Sequence, residues 1–192
     1  DVAVRRAVMT GISQTAGQMQ LDLAAEMDCD LVEVTAHMGA RPSHALWQGK
    51  VYSISGKSKK YPKLSTATGY GTGDGLKGWN CRHDFYPFFE GISERANLPV
   101  DVTENNRQYE LSQKQRAMER SIRATKRRLA AYDGAISETE DEVLKRRLQN
   151  QFERHSAILK TKEKRLSEFC DTNDLYSEKD RVRAVSYTHL RA

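Results

Sequence analysis

Two apolar seams that step in heptads constrain this chain most. Leu111, Gln115, Met118, Ile122, Thr125, Leu129 and Tyr132 follow one another at intervals of 4, 3, 4, 3, 4 and 3 residues. A helix returns to the same face at that spacing. Leu148, Phe152, His155, Leu159, Lys162, Leu166 and Phe169 repeat the same steps. Asp133-Gly134 interrupts the pattern between them, and Ser137 followed by Glu140 has the spacing of a capping box that would open the second helix. Two seamed helices with a short connection predict a long antiparallel helical hairpin over 101–183. Gln115, Thr125, His155 and Lys162 make the seams too polar for a long dimeric coiled coil. The hairpin is expected to pack on itself and on a partner.

Residues 1–100 read differently and predict a small mixed domain, so the fold class is α+β. Val4, Val8, Ile12, Met19 and Leu23 recur at helical spacing across 2–27 and predict an amphipathic helix with that stripe against the core. Leu31 to Thr35 and Val51 to Ile54 are short runs rich in β-branched residues, each expected to be a strand. Gly39-Ala40-Arg41-Pro42 is a turn, and Ser43 is placed to cap a short helical segment ending near Trp47. Residues 69–91 contain six glycines in 23 positions together with Trp79, Phe85, Tyr86, Phe88 and Phe89. Those aromatics are expected to anchor an irregular Gly-rich loop onto the domain. The last residues, 184–192, fit no element and read as a non-native tail. The chain starts at Asp1 without Met, and we expect it to be N-terminally truncated.

Charge narrows the function classes. Residues 1–100 carry 11 basic and 10 acidic side chains, whereas 107–132 carry 8 basic and 2 acidic. A segment so biased suits nucleic acid or an acidic protein surface, and Arg116, Arg120, Arg123, Lys126, Arg127 and Arg128 are the residues that would make the contact. A nonspecific DNA-binding module through 107–132 is therefore one alternative function. No apolar run reaches 18 residues, which excludes a transmembrane helix and leaves no membrane partner to expect. Three widely spaced cysteines make no disulfide framework.

His37, His44, Cys81 and His83 are the residues of metal-ligand type, since zinc accepts imidazole nitrogen and thiolate sulfur. A strand through Cys81-x-His83 would put both side chains on one face, and His37 and His44 flank the GARP turn. The pattern contains no CxxC and no His pair at i,i+4, so no metal or other cofactor is assigned, with zinc kept as an option. A zinc-dependent or thiol enzyme using His44, Cys81 and His83 is therefore a further alternative function, with an imidazole as base to the thiol, but adjacency in sequence supplies no geometry, and no catalytic residue is assigned. Gly71, Gly73 and Gly75 lack the spacing of a phosphate-binding loop, and no small-molecule substrate is expected. Arg82, if buried, is expected to pin two loops through backbone carbonyls or a carboxylate such as Asp84 or Glu90.

Three blocks carry a family resemblance. HMGARPSHALWQGKVY, from His37 to Tyr52, and GLKGWNCRHDFYPF, from Gly75 to Phe88, look like two motif blocks of the phage minor capsid protein 2 family. The helix from Gln108 through Arg120 to Lys126-Arg127 is similar to its basic helix. The resemblance runs in order over residues 2–183. It singles out His37, Gly39, Arg41, Pro42, His44, Trp47, Gly49, Gly75, Gly78, Asn80, Cys81, Arg82, His83, Pro87 and Phe88 as structural motif positions. It implies a tailed-phage or prophage virion protein, distantly related to the Mu-type head-morphogenesis domain. Such a protein would be a minor head component acting near the portal in capsid assembly or DNA packaging, with portal and major capsid proteins as partners and packaged DNA as a further one. It would occur in the virion, and in the host cytoplasm during assembly. The resemblance implies no enzyme.

Overall fold

A computed structural model describes residues 2–183; the tail read at 184–192 lies outside them. The order is α1 (Val2–Glu26), β1 (Leu31–Val34), α2 (Pro42–Ala45), β2 (Val51–Ser53), α3 (Leu64–Thr68), β3 (Phe85–Pro87), α4 (Val102–Glu138) and α5 (Glu142–Thr172), closed by a 3-10 turn over Lys179–Val182. The chain is α+β, and it divides into two compact units, residues 1–110 and 111–192.

In the first unit β1 is the central strand of an antiparallel sheet with order β2-β1-β3. Val32 lies opposite Tyr52, and Val34 opposite Phe85. Opposed residues share a face, so these four point together into a core completed by Trp47, Leu64 and Leu76. The opposite face carries Glu33, which is nonetheless buried at 6% exposure. Arg95 Nε donates to Glu33 Oε1 at 2.7 Å, and the Ala96 and Asn97 N–H groups donate to the same carboxylate. Arg95 also reaches the carbonyls of Gly49 and Asn97. Burial alone would raise the Glu33 carboxyl, but these donors outweigh it and hold the group below its ordinary pKa.

Several expectations need correction. α1 forms as predicted, yet Val4, Val8, Ile12, Met19 and Leu23 are all exposed. The helix instead buries its small residues, Gly17 and Ala24. At Gly17 an added Cβ would sit 3.2 Å from the Lys77 side chain and 3.3 Å from the Tyr70 hydroxyl, so close approach rather than apolar area decides the face. Ser43 caps nothing; Pro42 occupies the first turn of α2 behind Arg41, with no side-chain cap. Trp79 is 59% exposed and Tyr86 is exposed, whereas Phe85 and Phe88 are buried. Phe85 opens β3, which lies four residues beyond the strand expected through Cys81-x-His83.

In the second unit the seams hold. Every one of the fourteen seam residues is buried or half-buried. Ile122, Leu166 and Cys170 form the core, with Met118, Leu159, Leu175 and Val182 packed on it. Two of the polar seam residues pair with each other, Lys162 Nζ donating to Thr125 Oγ1 at 2.7 Å; Gln115 Nε2 donates to the Tyr176 carbonyl at 2.9 Å, and the His155 ring lies 5.2 Å from that of Tyr132. Asp133-Gly134 does not break α4, which continues to Glu138. One glycine costs about 1 kcal/mol in a helix, too little to stop one held by packing on both sides of it. The predicted capping box is absent too. Ser137 Oγ bonds back to the Gly134 carbonyl, and Asp141 caps α5 by accepting from the Val143 and Leu144 N–H groups.

Candidate functional site

The turn-forming motifs bring His37, His44, Cys81 and His83 together. Pro42 presets φ for the first turn of α2, and two residues later His44 is buried at 3% exposure. Cys81 and His83 lie on the extended segment before β3, not on a strand as expected. That segment is held by tight backbone packing in the Gly-rich loop. A Cβ on Gly75 would fall 2.0 Å from the Gly69 carbonyl oxygen, and one on Gly78 would fall 2.4 Å from that of Gly73. These positions demand glycine because no side-chain atom fits.

Cys81 Sγ lies 3.6 Å from His83 Nδ1 and 4.0 Å from His44 Nδ1. The three ligand-type atoms all fall within 4.8 Å of one another. The far nitrogens are tied down. His44 Nε2 donates to the Asp74 carbonyl at 2.8 Å, and His83 Nε2 donates to Gln48 Oε1 at 2.9 Å. Gln48 is itself fixed: its Oε1 accepts from the His37 N–H at 3.0 Å, and its Nε2 faces Asn105 Oδ1 at 3.5 Å. Asn105 closes the chain by bonding both the N–H and the carbonyl of Ala40, each at 2.9 Å. The His37 ring stacks on His83 with centroids 4.4 Å apart, and its Nε2 is buried without a hydrogen-bond partner.

Burial, with the neighbouring His37 and His44 adding to it, pushes the His83 imidazole down to about 3. Burial likewise lowers His44, against the pull of the Asp74 carbonyl. Both rings are therefore neutral near pH 7, and Cys81 faces imidazoles rather than imidazolium ions. The thiol therefore meets two neutral imidazoles, which can accept its proton but do not stabilise a thiolate as an imidazolium would.

The remaining motif positions divide between buried and exposed places. Trp47 and Phe88 are buried, Pro87 ends β3, and Gly39 and Gly49 adopt positive φ. Arg41 Nη2 donates to the Trp79 carbonyl at 3.1 Å. Arg82 and Asn80 are exposed, so Arg82 pins no loops. Its expected acceptors are taken by others: Lys77, only 3% exposed, pairs with Asp84 at 2.7 Å, and Glu90 pairs with Lys60. Sequence reasoning missed Glu33, Gln48, Lys77, Arg95 and Asn105. Their only signal was polarity inside otherwise apolar motifs, as at Gln48 between Trp47 and Gly49.

The basic helix is less available than its charge count implied. Arg123 reaches the Arg181 carbonyl, Lys126 pairs with Glu163 at 2.8 Å, and Arg128 Nη1 faces His155 Nε2 at 3.2 Å. Arg120 and Arg127 are exposed.

The family profile described as phage minor capsid protein 2 matches residues 1–184. The chain belongs to the phage minor capsid protein 2 family. A "Structural protein" of Lactococcus phage LL-H is 31% identical over 128 residues, which are 65% of this chain and 34% of that protein. A "Structural protein" of Lactococcus phage mv4 is 40% identical over 72 residues, 38% of this chain and 58% of that protein. The aligned part thus spans about a third of the first relative and well under two thirds of the second. No solved structure matches the chain significantly. A phage structural role and a place in the virion follow for this minor capsid protein. No helix among the described residues is long and apolar enough to cross a membrane.

Proposed function

We propose that this minor capsid protein works in the phage head beside the portal, during capsid assembly or the packaging and passage of DNA. The observation that carries the reading is the family match across residues 1–184. The architecture suits it. The motifs of the first unit form turns whose buried polar groups hold one another in place, and the second unit is a long hairpin with a charged surface. Portal and major capsid proteins are the partners this reading requires, met in the host cytoplasm as heads assemble.

The test is co-expression of the gene with its portal and major capsid neighbours, followed by mass spectrometry of gradient-purified particles. We expect the protein to sediment with particles and to be lost when the portal gene is omitted. Normal particles that lack it would overturn the reading.

A second reading, nonspecific DNA binding through 107–132, draws on the 8:2 charge ratio. The engagement of Arg123, Lys126 and Arg128 within the hairpin weakens it. Binding at low salt that falls steeply as salt rises would support it.

A further inference from the structure

We infer that His44, Cys81 and His83 hold one zinc ion, through Nδ1, Sγ and Nδ1, as a staple between the α2 turn and the Gly-rich loop. The argument is an accounting of lone pairs and protons. A carbonyl oxygen can only accept a hydrogen bond. His44 Nε2 and His83 Nε2 each lie on such an oxygen, so each carries the ring proton. The Gln48 amide cannot be turned round, because the same Oε1 also accepts a backbone N–H. Both Nδ1 atoms are therefore bare lone pairs, and both face Cys81 Sγ.

A thiol has one proton and can satisfy one of them. The other imidazole lone pair is left in a buried site, where an unmet polar atom is costly. His37 adds to the excess. Its Nδ1 lies on the Met38 carbonyl at 3.2 Å, which puts the proton there and leaves the buried Nε2 a lone pair without a donor. The cluster thus holds three acceptor nitrogens and one donor hydrogen. A cation removes that imbalance at once.

The ligand set selects the metal. Two neutral imidazoles and a thiolate suit zinc and disfavour magnesium or calcium, which prefer oxygen. Around a tetrahedral zinc, with bonds of about 2.0–2.3 Å, neighbouring N and S ligands lie roughly 3.5 Å apart. The Sγ–Nδ1 separations of 3.6 and 4.0 Å need only a small contraction, and the three ligand atoms, all within 4.8 Å of one another, close further around the ion. The carbonyls behind both Nε2 atoms are the orienting partners that zinc-bound histidines ordinarily have. Binding exchanges the thiol proton for the metal, so one proton passes to solvent for each ion bound. Three protein ligands leave the fourth tetrahedral position to water, and His37 Nε2 is an acceptor such a water would satisfy.

The test uses the whole chain, stripped with chelator and titrated with Co2+ as a spectroscopic stand-in for zinc. We expect thiolate-to-cobalt absorption and the visible bands of a tetrahedral site, saturating at one ion per chain and displaced by zinc but not by Mg2+. Cys81→Ser should abolish the thiolate band, while Cys29→Ser and Cys170→Ser keep it. Should Cys81→Ser fail to fold, His83→Ala and the stoichiometric zinc displacement of the wild-type spectrum decide the matter. A folded wild-type chain that shows no cobalt absorption, or a thiolate band that survives Cys81→Ser, overturns the assignment.

Discussion

At the scale of single residues, the first unit depends on buried polar groups that each have a defined partner. Glu33 is the clearest. Its folded pKa lies below the ordinary carboxylate value, so the stabilisation it gives is complete above the unfolded pKa and disappears as pH falls through the folded one. Glu33→Gln should cost about 2 kcal/mol at pH 7, and the gap to wild type should close in acid below about pH 4. Urea melts at a series of pH values measure it; a gap that does not change with pH would show that the Arg95 pairing is not what stabilises the site. Gly75→Ala tests the loop. Its Cβ has nowhere to go but the Gly69 carbonyl, and a loss of about 3 kcal/mol or more in a thermal melt is expected, whereas Gly11→Ala, with open space around it, should be neutral or slightly stabilising.

At the scale of elements, the two units differ in how far the sequence revealed them. The hairpin was legible because its seams obey one rule over many turns, and periodicity survives a few polar substitutions. Its connection was not, since Gly134 and Ser137 are local signals that packing along α4 overrides. In the first unit the same periodic rule misled. α1 carries an apolar stripe, but the sheet accepts the helix on its small-residue side, where Gly17 admits Lys77 and Tyr70. The site was legible as a set of motif residues, yet the bonds that orient it come from Gln48, Asp74 and Asn105, which no spacing rule marks. Two mutations check these assignments. Ile122→Asp places a charge at a position with no exposure and should cost several kcal/mol, about 3–5, in chemical unfolding. Ile12→Gln, on the exposed side of α1, should change stability by no more than about 0.5 kcal/mol; a large loss would mean that stripe is buried in solution.

At the scale of the whole molecule, net charge is a poor guide to partners. The formal charge is +5, and the helix that holds most of the excess spends part of it internally. Of its six cations predicted to meet a partner, Arg120 and Arg127 are the exposed ones with no such engagement. If the hairpin meets DNA at all, replacing both by Gln should flatten the log–log salt dependence by about 2. A wild-type slope of about 5 would mean that the internally paired residues also let go to reach phosphate.

The sheet has a consequence for life inside a crowded particle. Its outer strands, β2 and β3, are three residues long. Pro87 ends one of them without an amide hydrogen to offer, and the far side of β2 is met at Ser53 by a bridge to Lys63. Unpaired edges are where neighbouring copies zip together into fibrils. Here they are too short and too interrupted to serve as such templates, so the sheet offers a neighbouring copy little free backbone to pair with.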